Sequence, residues 1–93
     1  MERKLLDATQ LDDALAGLSD WKVDGKAIKK EVKFENFASA LAYVNRVGEL
    51  SEAADHHPDI TFGWGYAEIV LTTHDRGGVT DVDVNLARKI DMV

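Results

Sequence analysis

The chain of 93 residues contains no cysteine, a single proline and no long apolar run. Without cysteine it can form neither a disulfide nor a thiolate metal site. No apolar stretch approaches the ~20 residues that a membrane-spanning helix needs. The first residues, Met1 to Lys4, also lead into no signal-type apolar core. We therefore expect a cytoplasmic protein without a membrane partner.

Positive charge is scarce as well: 11 Lys and Arg stand against 17 Asp and Glu, giving a formal net charge of −6. A general nucleic-acid binder needs a basic face to replace counterions, so direct nucleic-acid binding is not expected, while protein partners stay open. The hydrophobic fraction of 45% is ordinary for a globular protein, and we expect one domain over residues 1–93. A chain this short buries little surface, so association between copies would add stability.

The three histidines and the proline are placed close together in the sequence, at His56-His57-Pro58 and at His74. Histidine can exchange protons near neutrality because its ordinary pKa is about 6.5. Proline biases the residue before it towards extended backbone, which predicts that a helix ends around Asp55 and that two histidines lie on the connector. Adjacent residues of an extended chain point opposite ways, so His56 and His57 should have different neighbours.

Three segments with apolar residues at helical spacing predict helices. The first covers about 9–18, with Thr9 as N-cap and Asp12 at the capping-box position. The second covers 37–54 after the cap Asn36, and the third follows Thr80 with Asp83 in its capping box. The predicted buried stripe of the second helix consists of Phe37, Leu41, Val44 and Val47, widened by Ala40 and Tyr43, and that of the third of Leu86, Ile90 and Val93.

Alternating segments predict two hairpins. In the first, residues 21–23 and 26–34 flank the turn Asp24-Gly25, and Lys30 interrupts the apolar face, which indicates an edge strand or a snorkelling side chain. In the second, Gly63 and Gly65 bracket a turn, and His74 lies at the far end, before a loop over residues 75–78. This order predicts an α+β fold (α-β-β-α-β-β-α): a four-stranded, largely antiparallel sheet with three helices packed on one face. His74 should return beside His56.

Several chemistries compete for these residues. Glu52 and His56 are four residues apart, and His57 or His74 could add a third zinc ligand, but Pro58 favours a helix end before His56 and the HExxH spacing is absent. Metal binding is therefore the minority hypothesis. Nucleophilic catalysis is weaker still, since there is no cysteine and no serine in a nucleophile elbow.

One spaced pattern runs through the second half of the chain: Glu52, then His56-His57-Pro58 after three residues, Trp64 after five, His74 after nine and Asp83 after eight. With this pattern the sequence resembles the pterin-4a-carbinolamine dehydratase family over nearly its whole length. The resemblance implies an enzyme with no metal and no organic cofactor. It implies dehydration of a 4a-hydroxytetrahydropterin to the quinonoid dihydropterin, in tetrahydropterin recycling. Hydroxide is a poor leaving group, so an acid must protonate it while a ring N–H loses its proton, and imidazoles suit both tasks.

By this resemblance, the expected catalytic residues are His56, His57 and His74. His56 and His74 are expected to form the acid/base pair, and His57 mainly to hold the pterin. Glu52, Pro58 and Trp64 are the other expected substrate-binding residues. The family also implies a homodimer or homotetramer, which the apolar and small residues on several sides of helix 37–54 favour independently. The alternative function is a protein-binding module, because animal members of the family act as dimerisation partners of a homeodomain transcription factor.

Overall fold

The computed structural model describes residues 3–93; Met1 and Glu2, where an irregular lead-in over 1–8 is predicted, lie outside the described residues. Within 3–93 the helices and strands follow in the predicted order, and the α+β class is confirmed. The elements are α1 (Ala8–Ala16), β1 (Lys22–Asp24), β2 (Ala27–Lys33), α2 (Phe37–Ala54), β3 (Asp59–Gly63), β4 (Tyr66–Leu71) and α3 (Asp81–Ile90), with a 3₁₀ turn at His74–Arg76. Among these residues no helix combines the length and apolar character needed to cross a membrane.

The four strands form one antiparallel sheet in the order β1-β2-β4-β3. Ile28 of β2 pairs with Leu71 of β4 on the face that carries the core, whereas Glu31 pairs with Glu68 on the opposite face. The core residues of this sheet pack against side chains from all three helices, so the helices lie on one face as predicted. The other face is polar, as antiparallel sheets permit.

Helix α2 has the bounds that the sequence predicts. It begins after Asn36, whose side chain accepts a hydrogen bond from Ser39 N at 2.8 Å. Its buried residues are Ala40, Val47 and Ser51. The predicted stripe is wrong at its start: Phe37 is 45% exposed and Leu41 39%. At 3.6 residues per turn, Leu41 lies roughly 100° around the helix from the residues that face the sheet.

Two predicted boundaries are wrong by one or two residues. Helix α1 starts at Ala8 because Asp7 caps it and forms a capping box with Gln10, in place of Thr9 and Asp12. The carboxylate of Asp7 accepts from Gln10 N at 2.8 Å, which satisfies an otherwise free helical N–H. In the first hairpin, the turn residues are 25 and 26, because Asp24 still pairs with Ala27 and Gly25 has φ +60°. The 3₁₀ turn replaces part of the predicted loop.

The end of α3 explains why Lys30 interrupts an apolar face. Strand β2 lies inside the sheet, so the edge-strand interpretation is wrong. The Lys30 ammonium lies 2.7 Å from Asp91 Oδ1, and both side chains are nearly buried. The same carboxylate accepts from Trp21 Nε1 and from Ser19 N, each at 2.8 Å. Helix α3 itself ends at Ile90, and Val93, which is predicted as part of its stripe, is 44% exposed.

Candidate active site

The end of α2 determines where the adjacent histidines are placed. Asp55 adopts a left-handed conformation (φ 50°, ψ 42°), and its N–H bonds to the Glu52 carbonyl. The N–H of His56 bonds to the Ser51 carbonyl at 3.1 Å, which completes a Schellman-type helix end. A left-handed residue other than glycine costs about 1–2 kcal/mol. This turn stops the helix before His56, as the proline predicts, and redirects the chain towards β3.

His56 points inward and is held by a buried carboxylate. Its side chain is 12% exposed, and its Nε2 is hydrogen-bonded to Oδ1 of Asp83, which is fully buried in the first turn of α3. The other oxygen, Oδ2, accepts from Thr73 Oγ1 and from Thr80 N, each at 2.8 Å. Thr73 and Thr80 are also hydrogen-bonded to each other through their hydroxyls at 2.8 Å. The carboxylate that holds His56 through Oδ1 is therefore itself fixed by two hydrogen bonds on Oδ2.

His57 faces the opposite way and lies near the surface. Its Nε2 is 2.7 Å from Glu52 Oε2, and the two side chains are 60% and 81% exposed. An exposed pair of this kind contributes little to stability because water screens it. The expectation that His56 and His57 have different neighbours is confirmed. His56 is nearly buried and bound to Asp83, whereas His57 is exposed and bound to the equally exposed Glu52.

His74 lies just after β4, at the first position of the 3₁₀ turn, and its side chain is exposed. Antiparallel pairing of β3 with β4 brings the end of β4 back beside the start of β3. All three histidines consequently line one cleft of about 330 Å³, which we call the histidine cleft. Its other lining residues are Arg3, Asp55, Thr72, Thr73 and Asp75.

Of the other predicted site residues, Glu52 and Pro58 lie near the histidines and Trp64 lies far from them. Glu52 is hydrogen-bonded to His57, and Pro58 links that histidine to the first residue of β3. Trp64, by contrast, is 73% exposed on the β3–β4 turn, at the opposite end of the hairpin. With a rise of about 3.3 Å per residue, the five residues from Asp59 to Trp64 span roughly 16 Å. The structure therefore does not bring Trp64 to the histidines of its own chain.

The arrangement of imidazoles is suited to proton transfer. A carboxylate can only accept a hydrogen bond, so the His56 nitrogen that faces Asp83 carries the proton. The second ring nitrogen, Nδ1, has no hydrogen-bond partner among residues 3–93, and the His56 side chain lines the histidine cleft. His74 has no side-chain hydrogen bond to any other residue of 3–93, so its ring is available on the same cleft. Among the described residues, no group of three or more His, Asp or Glu side chains is arranged to hold a metal ion.

Sequence reasoning placed Asp83 in the capping box of α3 and in the family pattern, but did not identify it as the partner of His56. The capping box of α3 is present as predicted, and it uses only Oδ2, which leaves Oδ1 for the imidazole. The sequence predicts Thr80 only as the N-cap of α3, and it gives no signal for Thr73. Arg3 was also missed, because only the tertiary structure places the segment before α1 beside the histidine cleft.

Comparison with known proteins agrees with this geometry. The family described as "Pterin 4 alpha carbinolamine dehydratase" matches residues 4–93. A protein of Prochlorococcus marinus, provisionally named pterin-4-alpha-carbinolamine dehydratase, is 46% identical over 87 residues, covering 94% of this chain and 92% of its own length. The chain belongs to the pterin-4-alpha-carbinolamine dehydratase family.

Two solved structures share the fold. The transcriptional coactivator/pterin dehydratase from Brucella melitensis superposes with a TM-score of 0.90 at 32% identity, over 96% of this chain and 97% of that chain. A pterin dehydratase-like protein described as a RuBisCO assembly factor in the alpha-carboxysome gives a TM-score of 0.63 at 23% identity, over 77% of this chain and 83% of that chain. The second likeness concerns the fold alone.

Proposed function

We propose that this protein dehydrates a 4a-hydroxytetrahydropterin to the quinonoid dihydropterin and water, as a 4a-hydroxytetrahydrobiopterin dehydratase in tetrahydropterin recycling. Membership of the family supports the reaction class. The C4a–O bond breaks as the hydroxyl takes up a proton and leaves as water, and a ring N–H gives up its proton. The proton balance is zero, so two positioned imidazoles suffice, without a metal or an organic cofactor.

The observation that carries the proposal is the contact between His56 and a buried, doubly held carboxylate beside a cleft that two further histidines line. A carboxylate in this position fixes the ring orientation and stabilises the imidazolium when the other nitrogen gains a proton. We assign His56 and His74 as the acid/base pair. His57, which Glu52 holds loosely, and Pro58 would bind the pterin.

The test is an absorbance assay with 4a-hydroxytetrahydropterin generated enzymatically in the cuvette. The proposal expects quinonoid product to form faster with the protein than without it, and equally fast in excess chelator. His74→Ala should lower turnover by about 10²–10⁴, the usual contribution of general acid–base catalysis. Wild-type protein that fails to accelerate product formation, or loses activity in chelator, would refute the proposed mechanism.

We also propose that the protein is a homodimer or homotetramer. Phe37 and Leu41 expose large apolar side chains on α2, and the sheet ends in the edge strands β1 and β3. Exposed edges and apolar helix faces both favour contact with a second copy, and closed twofold symmetry is the commonest arrangement. Only in such an assembly could Trp64 reach a bound pterin, since it lies far from the histidines of its own chain.

Light scattering on a size-exclusion column tests the assembly. The chain has a mass of 10.3 kDa, so a dimer or tetramer would elute at two or four times that value. A mass of one chain at micromolar concentration would refute the proposal.

Protein binding is the second candidate function, which the exposed Phe37 and Leu41 and the coactivator description of the Brucella protein favour. A protein that shows no dehydratase activity but is folded and oligomeric would favour this alternative.

A further inference from the structure

A second cleft borders the histidine cleft and has no role in the proton transfers. It has a volume of about 340 Å³ and lies between the end of α2 and one face of α3; we call it the flanking cleft. Arg3, Asp55 and His56 line both clefts, so a ligand in contact with His56 can extend from one into the other. Small-ligand pockets typically measure about 300–1,000 Å³, so the two clefts together can hold more than a bicyclic ring.

The flanking cleft combines positive charge with an apolar floor. Val82 and Leu86 of α3 supply apolar surface, and Lys89 lies on the same helix face, because residues three and four apart are neighbours. Two of the lining residues, Arg3 and Lys89, are cationic, against the single carboxylate of Asp55. The Lys89 ammonium forms no ion pair with any other residue of 3–93.

Arg3 is held in place by contacts of the segment that carries it. Leu5 forms an antiparallel bridge with Thr80, and Lys4 N donates to Asp81 Oδ1 at 3.0 Å. The Arg3 guanidinium makes a two-pronged contact with Asp75, with Nη1 and Nη2 at 2.9 and 2.6 Å from its two oxygens. Arginine has five N–H donors, so this contact leaves up to three for a ligand. Arg3 is therefore a positioned cation at the junction of the clefts.

We propose that the flanking cleft is a subsite for an anionic group, a carboxylate or a phosphate, carried by the ring substituent of the pterin. The proposal rests on the proposed function, because it assumes that the pterin ring contacts His56. Arg3 and Lys89 bind the anionic group, while Val82 and Leu86 contact the carbon atoms that link it to the ring. An uncharged substituent would not be attracted by Arg3 and Lys89, so the flanking cleft favours pterins with an anionic substituent over neutral ones.

Equilibrium fluorescence titration tests the subsite without requiring turnover. Three stable pterins are compared: neutral 6-hydroxymethylpterin, its phosphate ester, and 6-carboxypterin. We expect at least one anionic analogue to bind wild-type protein on the order of fivefold more tightly than the neutral one at low salt, as expected for one exposed charge contact. The advantage should shrink at 0.3 M salt because screening weakens exposed charge pairs. The anionic analogue that binds more tightly than the neutral pterin shows whether the subsite takes a carboxylate or a phosphate.

Lys89→Ala and Arg3→Gln should each reduce the ratio of anionic to neutral affinity towards one. Glutamine at position 3 keeps an amide donor for Asp75, so the segment before α1 retains an anchor. Lys33→Ala is the matched control, since Lys33 is an exposed lysine on β2 outside both clefts, and its ratio should equal that of wild type. Equal affinity of wild type for all three pterins would overturn the subsite, as would an unchanged ratio in both variants.

The outcome is separable from that of the proposed function. Charge-selective binding without dehydration of any 4a-hydroxypterin would support the subsite and refute the dehydratase assignment. Dehydration with no charge selectivity would refute the subsite alone.

Discussion

A buried or nearly buried carboxylate lies at each end of α3, and the two carboxylates bind different kinds of side chain. Asp83, in the first turn, is fully buried and contacts His56, whose ring borders a cleft. Asp91, after the last turn, is 12% exposed and contacts Lys30 and Trp21 inside the fold. Each carboxylate has three hydrogen-bond partners in all, with Thr73 and Thr80 N added at Asp83 and Ser19 N added at Asp91. A carboxylate thus holds a histidine beside a cleft at one end of α3, and a lysine and a tryptophan inside the fold at the other end.

The difference lies in the titratable partner and its access to a ligand. Imidazole can gain or lose a proton near neutrality, so fixing it beside a cleft creates an acid or a base. The Asp91–Lys30 pair lies inside the fold with both side chains nearly buried, so its role is structural. Burial raises the pKa of the neighbouring Tyr43 hydroxyl to about 12, and the charge on Asp91 acts in the same direction. The Tyr43 hydroxyl therefore keeps its proton near neutral pH.

The largest expected effect is at the Asp83 end. His56→Ala should lower kcat by about 10²–10⁴ because it removes one of the two groups proposed as general acid and base. Steady-state kinetics on protein shown by circular dichroism to be folded measure the change. A folded His56→Ala protein with near-normal turnover would remove His56 from the mechanism.

At the Asp91 end the expected loss is in stability. Asp91→Asn leaves the Lys30 ammonium without a counter-charge in a nearly buried place, which should cost about 3 kcal/mol, or a factor of about 10² in the folding equilibrium. Urea unfolding measures it, and kcat of the folded protein should be unchanged. The control is Asp24→Asn, because Asp24 forms an exposed pair with Lys29 at 3.5 Å and should lose less than about 0.5 kcal/mol.

The pH dependence of that loss has a definite sign. Burial alone would raise the pKa of the Asp91 carboxyl, but hydrogen bonds from Lys30, Ser19 N and Trp21 outweigh it, so the pKa lies below the usual value of 3.8. A lowered pKa in the folded state stabilises the fold above the unfolded pKa, and this contribution disappears as pH falls through the folded value. The difference between wild type and Asp91→Asn should therefore narrow below about pH 4. A difference that widened in acid would contradict the assignment.

Asp83→Asn should have a smaller effect on catalysis than the loss of His56 itself. The ring would remain but lose its charged partner, and such positioning residues usually contribute about 10–100-fold. The loss should appear in kcat and not in KM, because Asp83 is buried and cannot touch substrate. Asp81→Asn is the matched control in the same turn of α3 and should keep kcat. An increase in KM alone for Asp83→Asn would show that Asp83 does not act through His56.

His57→Ala should give the smallest effect. The ring is 60% exposed and bound only to the exposed Glu52, so its proposed role is to bind substrate. We expect KM to rise by about fivefold, the value of one weak polar contact, with kcat nearly unchanged. Initial rates over a range of substrate concentrations separate the two parameters. A loss of kcat comparable to that of His56→Ala would exchange the roles of the two histidines.

The fold could largely be predicted because local signals agreed with one another. Asn36 and Thr80 cap their helices as expected. Helix α2 ends at Ala54, next to the predicted end around Asp55. The errors occurred where tertiary contacts decide. The sequence could not show that Lys30 meets Asp91, or how far α2 is rotated, since both depend on the packing of distant elements.

The site was predicted in part for a similar reason. Hairpin pairing alone brings His74 to the connector that carries His56, so periodicity and turns were sufficient for that juxtaposition. The same pairing places Trp64 on the turn at the other end of the hairpin, away from the histidines. The sequence distance from Pro58 to Trp64 already indicated this, but the family resemblance grouped Trp64 with the histidines. The contact of Asp83 with His56 joins residues 27 positions apart, and the capping signal accounted for only one of the two carboxylate oxygens.

The most direct test of histidine acid–base catalysis is the pH dependence of kcat, measured for wild type and for His56→Ala with the chemical step shown to be rate-limiting. The account predicts that the wild-type profile bends within about pH 5–8, where imidazoles change protonation, and that one bend is lost in the variant. A wild-type profile that stays flat across this range would contradict it.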